Sequence, residues 1–175
     1  MSKILFGEPV AENLDSQSKN IFEEYTTKHD TPPLLTAITV GDNPASLLYV
    51  SVKEKKAEKL GVNFNWIKLK DTTLESELED AISEHSKSSQ GLLIQLPLPE
   101  HLNIEKVIDL IPSGIDVDGL TTLNLGKLYS ENFNIIPATS LAILELLSQY
   151  EIETEDKNIV IAGRSRLVTS PLSKI

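Results

Sequence analysis

Leu34-Leu35-Thr36-Ala37-Ile38-Thr39-Val40-Gly41-Asp42-Asn43-Pro44 decides the fold. Seven mostly apolar and β-branched residues run into Gly-Asp-Asn-Pro, so the stretch reads as a buried strand closed by a turn. Asp42 and Asn43 are good N-cap types, and Pro44 suits a first helical turn. A helix over residues 44–60 is therefore expected, stopped by Gly61. A strand feeding straight into a helix is the first half of a βαβ unit.

Working outward, Val62, Phe64 and Trp66 alternate on one face, with Lys68 continuing the alternation, and predict a second strand over residues 62–69. Residues 91–96, Gly-Leu-Leu-Ile-Gln-Leu, form a third, almost wholly apolar strand that Pro97 and Pro99 end. Helices are predicted over residues 10–29, 73–86, 103–110 and 139–150, with Ser76 and Glu79 as a capping pair for the second of these. Residues 4–6 read as a short edge strand, residues 112–129 as irregular, and residues 159–163 as a new buried strand. Strands alternating with helices give an α/β fold, a mainly parallel sheet with flanking helices on both faces.

Composition narrows the function. The 175 residues are 40% hydrophobic and 24% charged, which is ordinary for a globular protein. A formal net charge of -10 argues against a general nucleic-acid binder and gives no reason to expect an anionic membrane partner. With no cysteine, disulfides and thiolate chemistry are excluded. His85 and His101 stand at a spacing no common metal motif uses, and both read as surface residues. No metal site is expected. The first six residues are too short for a signal-peptide core and no run approaches a membrane span, so a cytoplasmic location is the default.

Three features call for chemistry. On a helical wheel Tyr49, Val50, Ala57 and Leu60 fall within roughly one 100° arc, and Lys53 projects into its middle, one turn from Tyr49. Lys53 either snorkels over that face or is a desolvated lysine suited to proton transfer. Gln95 stands at the carboxyl end of the third strand, where open α/β sheets bind ligands; its amide either caps backbone or orients a neighbour. Asp116-Val117-Asp118-Gly119 is either an Asp-Gly turn or a carboxylate placed to accept parallel hydrogen bonds from an amino-bearing ring. Two carboxylates alone make a weak metal case. Gly163-Arg164-Ser165, after the last apolar run, is either an ordinary turn or a phosphate-binding loop.

Taken in order, Tyr49-Val50-Ser51-Val52-Lys53, residues 91–99, Asp116-Val117-Asp118-Gly119-Leu120, Asn124-Leu125-Gly126-Lys127-Leu128 and Gly163-Arg164-Ser165 resemble the bifunctional methylenetetrahydrofolate dehydrogenase / methenyltetrahydrofolate cyclohydrolase family. The likeness runs from about residue 4 to residue 172. It implies one-carbon folate metabolism: oxidation of 5,10-methylenetetrahydrofolate with NADP, then hydrolysis of the methenyl product to 10-formyltetrahydrofolate. By the same resemblance Lys53 is the catalytic acid/base, Gln95 tunes it, Tyr49 packs on the folate rings and Asp118 binds the pterin-like ring. Gly163, Arg164 and Ser165 fall to the cofactor. The partner is then a small folate, and the family expectation is a homodimer.

The resemblance also sets domains: a folate-binding catalytic domain over residues 1–137, then a linking helix and the first strand of an incomplete Rossmann-type NAD(P)-binding domain over residues 138–175. There are departures. Pro137-Ala138-Thr139-Ser140 stands where the family has Pro-Cys-Thr-Pro, and Thr169 where it has glycine. Family members continue for most of another domain, so the dehydrogenase step is expected to be lost in the 175-residue chain. A folate-binding or regulatory remnant without turnover, or an inactive truncated product, is the alternative.

Overall fold

The structure is a computed structural model and describes residues 4–175. The chain divides into two compact units, one of residues 18–117 and the other of the chain up to Gln17 together with residues 118–175. Helix α1, Glu8–His29, belongs in part to each.

The unit of residues 18–117 holds the sheet. Its elements run β1 (Leu34–Val40), α2 (Pro44–Lys59), β2 (Asn63–Leu69), α3 (Glu75–Ser86), β3 (Gly91–Ile94) and α4 (Ile104–Ile108). All pairings are parallel and the strand order is β2-β1-β3, with Leu34 opposite Asn63 and Leu35 opposite Gly91. The ladder continues past β3, where the Gln95 N–H donates to the Ile38 carbonyl at 2.9 Å. On the far side of β3, Leu92 pairs with Asp116 in an isolated parallel bridge, its N–H donating to the Ile115 carbonyl at 2.7 Å.

Period-2 alternation sorts β1 between two faces. Ile38 and Val40 join Leu78, Ile82, Leu92, Ile94, Leu98, Leu102, Val107 and Ile111 in the larger core, beneath α3 and α4. Ala37 and Leu93 pack with Val50 of α2 on the other face, flanked by Leu35, Phe64 and Trp66. Full burial of such side chains contributes roughly 1.5–3 kcal/mol each, so the α3/α4 face carries most of the cohesion. Polar groups in the sheet are satisfied locally. Trp66 Nε1–H donates to Thr39 Oγ1 at 3.0 Å, and Thr36 and Ser89 hydroxyls pair at 2.7 Å. Lys68 lies over the Trp66 ring at 3.9 Å, consistent with the expected alternation.

Helix ends follow from their caps. Asn43 Oδ1 accepts from the Ala45 and Ser46 N–H groups at 3.0 and 3.1 Å and starts α2. In α3 the expected pairing of Ser76 with Glu79 gives way to Glu77, whose Oε2 accepts from the Leu74 N–H at 2.7 Å. Glu79 instead turns to Lys106: Nζ sits 2.6 Å from Glu79 Oε1 and donates to Glu75 Oε1 at 2.6 Å, tying α3 to α4. His85 is half-buried, with Asn65 Nδ2 at 3.5 Å from its Nδ1, while His101 is exposed as expected.

The other unit is helical: α5 (Thr122–Tyr129), α6 (Ala138–Gln149) and the one-turn α7 (Thr169–Leu172). Three expectations are corrected there. Residues 4–6 form no strand; Tyr150 Oη accepts from the Phe6 N–H and donates to its carbonyl, so a side chain holds this backbone instead of a ladder. Residues 122–129, expected to be irregular, are α5, begun by Thr121 Oγ1 accepting from the Asn124 N–H. Residues 159–162 form no regular element; Ile159 is exposed and Val160 is 92% exposed. A strand exists only with ladder partners, and among the described residues this run has none. The first strand expected of a Rossmann-type domain is therefore absent from the described fold.

Candidate functional site

Helix α2 carries two of the predicted residues. Val50 and Ala57 are buried against the sheet, and Lys53 between them is half-buried. Lys53 lines an apolar pocket of about 310 Å³ with Lys56, Ala57 and Leu60 of the same helix, Leu34 and Leu35 of β1, Gly91 of β3 and Val117. Tyr49, at the edge of the wheel's arc, is 64% exposed, and with Leu48 and Val52 it makes an apolar outer surface on the first turns of α2. Tyr49 and Lys53 are neighbours along the helix, but only Lys53 reaches the pocket.

Gln95 follows β3 directly. Its Nε2 donates to the Leu96 carbonyl at 2.9 Å, and Ser46 Oγ donates to the same carbonyl at 3.3 Å. The Leu96–Pro97 peptide is cis. With the amide nitrogen so engaged, Gln95 Oε1 is buried and has no hydrogen-bond partner. A buried acceptor left open costs about 1–3 kcal/mol. Ser46 is the residue that sequence reasoning missed. It is buried and stands seven positions before Lys53, on the same face of α2. A serine on the buried arc of the wheel was the available signal.

The aspartates part company. Asp116 is only 1% exposed and bridges to Leu92. Asp118 is half-buried and stands one residue beyond Val117 of the pocket wall. Gly119 after it is buried with φ +67°.

These residue types in this order decide the family. A model described as the tetrahydrofolate dehydrogenase/cyclohydrolase catalytic domain matches residues 5–118. The chain belongs to the tetrahydrofolate dehydrogenase/cyclohydrolase family. It is 40% identical to the bifunctional protein FolD of Streptococcus mutans over 177 aligned residues, which takes in all of this chain and 62% of that protein. FolD of Helicobacter pylori strain J99 is 34% identical across 98% of this chain and 60% of its own length. Among solved structures, the bifunctional FolD of Campylobacter jejuni superposes with a TM-score of 0.92 at 32% identity, covering 98% of this chain and 62% of that one. The Trypanosoma brucei dehydrogenase-cyclohydrolase, solved with NADP and an inhibitor, gives 0.92 at 25% identity, covering 99% of this chain and 60% of that one. The chain thus spans about three fifths of the length of these relatives.

Members of the tetrahydrofolate dehydrogenase/cyclohydrolase family raise the question of a dinucleotide. Gly163, Arg164 and Ser165 are exposed. Gly163 has φ +150°, and a Cβ there would lie 2.8 Å from the Thr169 methyl. Ser165 closes the turn on itself: its carbonyl accepts from the Ser170 N–H at 2.9 Å and Thr169 Oγ1 at 3.2 Å, and its Oγ accepts from the Leu167 N–H at 3.2 Å. A dinucleotide is held at a crevice between half-sheets, and the described residues of this unit form no sheet. Among the described residues this unit therefore holds only part of what a dinucleotide site needs, and NADP stands on the family. A hollow of about 640 Å³ between α6 and the turn after it, lined by Leu144, Leu147, Glu155 and Lys157 among others, contains none of the predicted residues.

Proposed function

We propose that this chain is the folate side of a cytoplasmic methylenetetrahydrofolate dehydrogenase / methenyltetrahydrofolate cyclohydrolase, and that the hydrolytic step is the one its own residues support. The observation that supports this is Gln95, past the carboxyl end of β3, with a buried, open Oε1; Lys53, in an apolar pocket on α2, is joined to it by the family resemblance. Hydrolysis of the methenyl bridge adds water to the amidinium carbon, breaks its bond to N5 and leaves the formyl group on N10. Of the two protons of water, one ends on N5 and one leaves to solvent. Lys53 is assigned the proton traffic by family membership, and a lysine lining an apolar pocket is a general acid/base of the kind the step needs. Gln95 Oε1 is assigned as the acceptor that orients the Lys53 ammonium or a ligand N–H.

Tyr49 supplies an exposed ring for the folate to pack on. Asp118 is assigned to the amide and amino N–H groups of the pterin-type ring, as a carboxylate can accept both in parallel. The dehydrogenase half, with Gly163, Arg164 and Ser165 on the NADP side, rests on family membership. We keep the domain limit at residues 137/138 on the same ground.

The test uses the purified 175-residue polypeptide with methenyltetrahydrofolate, and Lys53→Met beside it. Hydrolysis that disappears in Lys53→Met is the expected result. Hydrolysis at an unchanged rate in Lys53→Met would remove Lys53 from the mechanism. Folate binding without hydrolysis would reduce the proposal to a binding module.

A further inference from the structure

Asp118 is followed by a glycine that the fold grips closely. Gly119 is buried at φ +67°, a left-handed conformation that only glycine adopts freely. A Cβ there would lie 3.1 Å from the Pro137 nitrogen, 3.2 Å from Ile135 Cγ2 and 3.4 Å from the Ile136 carbonyl carbon. Two of those atoms are backbone, and Pro137, at the N-cap of α6, is fully buried, so they do not swing aside as a flexible side chain would. Downstream, in the same unit, buried Thr121 caps α5. Of residues 118–120, Gly119 alone has positive φ. The direction in which the Asp118 carboxylate leaves the backbone is therefore set at Gly119.

We propose that Gly119 is a positioning residue for Asp118: its left-handed turn, seated on the 135–137 backbone, aims the carboxylate at the paired N–H groups of a pterin-type ring. The proposal rests on the ring-binding role assigned to Asp118 above. A methyl group at residue 119 must lift residues 118–119 from residues 135–137 or rotate φ toward negative values. Either change tilts a carboxylate that has to meet two N–H groups at once, and parallel hydrogen bonds weaken steeply with angle.

The experiment is calorimetric titration of the 175-residue polypeptide with folic acid for the unsubstituted chain, Asp118→Ala, Gly119→Ala and the double variant. Gly119→Ala is expected to weaken binding about tenfold, and to add less than about twofold once Asp118 is already alanine, because residues acting through one another are not additive. Multiplying effects in the double variant, or unchanged binding in Gly119→Ala, would overturn the proposal. Should Gly119→Ala fail to fold by circular dichroism, Ile135→Ala loosens the same contact without adding atoms. It is expected to weaken binding about threefold, again only when Asp118 is present. The Asp118 carboxyl ¹³C resonance gives a readout that needs no ligand. It is expected to move in Gly119→Ala while that of Asp116 stays, and an unmoved Asp118 signal would refute the positioning role. Failure of the unsubstituted chain to bind folic acid would instead refute the folate reading, and the resonance comparison then decides the role of Gly119 alone.

Discussion

Replacing Gln95 by methionine should make the protein more stable and less able to act. The side chain makes one protein hydrogen bond, from Nε2 to the Leu96 carbonyl, and leaves Oε1 buried and open. Losing the bond costs about 0.5–1.5 kcal/mol, and removing the unsatisfied acceptor returns about 1–3 kcal/mol. The Leu96 carbonyl is not orphaned by the change, because Ser46 Oγ still donates to it at 3.3 Å. Methionine has nearly the same length and no polar atom to satisfy. The net expectation is a gain of about 1 kcal/mol, or roughly 2–4 °C in Tm for a chain of this size. Urea denaturation of the 175-residue polypeptide reads the first quantity, and methenyltetrahydrofolate hydrolysis or folate titration reads the loss. A Gln95→Met variant destabilised by more than about 1 kcal/mol would show that Oε1 already has a donor in the free protein, and the argument from an open acceptor would fall.

Ser46→Ala takes away the second donor to the Leu96 carbonyl and leaves the Gln95 amide as its remaining side-chain donor; stability should fall by about 1 kcal/mol, with a drop in hydrolysis that Ser46→Thr partly restores. Asp118→Ala should weaken folate binding about tenfold with little change in stability, whereas Asp116→Ala, at a buried position on the β3 ladder, should cost roughly 1–3 kcal/mol of stability and affect binding less; equal effects on binding would mean the wrong aspartate has been assigned. Hydrogen bonding to Lys106, then to the Asn103 N–H, holds the Glu75 carboxyl below its ordinary 4.5, and the Glu75 and Glu79 carboxylates raise the Lys106 ammonium. The Glu75 contribution is thus present above pH 4.5 and lost as pH falls through the lowered folded value, so Glu75→Gln should flatten the acid limb of a Tm-against-pH profile. Both groups face solvent, so about 1 M salt should shrink the difference, and an unchanged acid limb would dismiss the clamp. Finally, the 175-residue polypeptide should show no calorimetric signal with NADP, since residues 159–169 form no sheet and the Gly163 turn is closed by Thr169; binding at the micromolar level would show that the turn reopens around the ligand.

Local rules carried the reading where an element's signals lie within its own residues. Strand β1 is found at Leu34–Val40 as read, and α2 begins at Pro44 because Asn43, a side-chain acceptor by type, binds two N–H groups there. The same reasoning failed where a neighbour decides. Residues 159–162 have strand composition, but composition supplies no ladder partner, and without one Val160 stands in solvent. Helix α5 was hidden by Gly, Asn and Thr, although Thr121 and Leu125, Leu128 and Tyr129 carried a cap and a helical period. Helical phase alone set Lys53 between Val50 and Ala57, and there it lines an apolar pocket. Phase could not show that Ser46, on the same arc, reaches the carbonyl after Gln95, because that contact joins residues fifty positions apart. Nor could it show that Gln95 keeps one buried oxygen unmatched. A sequence names groups able to accept or donate; only the packed structure shows which of them has been left without a match. The orphaned oxygen beside a cis-peptide carbonyl held from two sides is therefore the most informative atom of the site, and exchanging it for sulfur and methyl in Gln95→Met separates its energetic cost from its use.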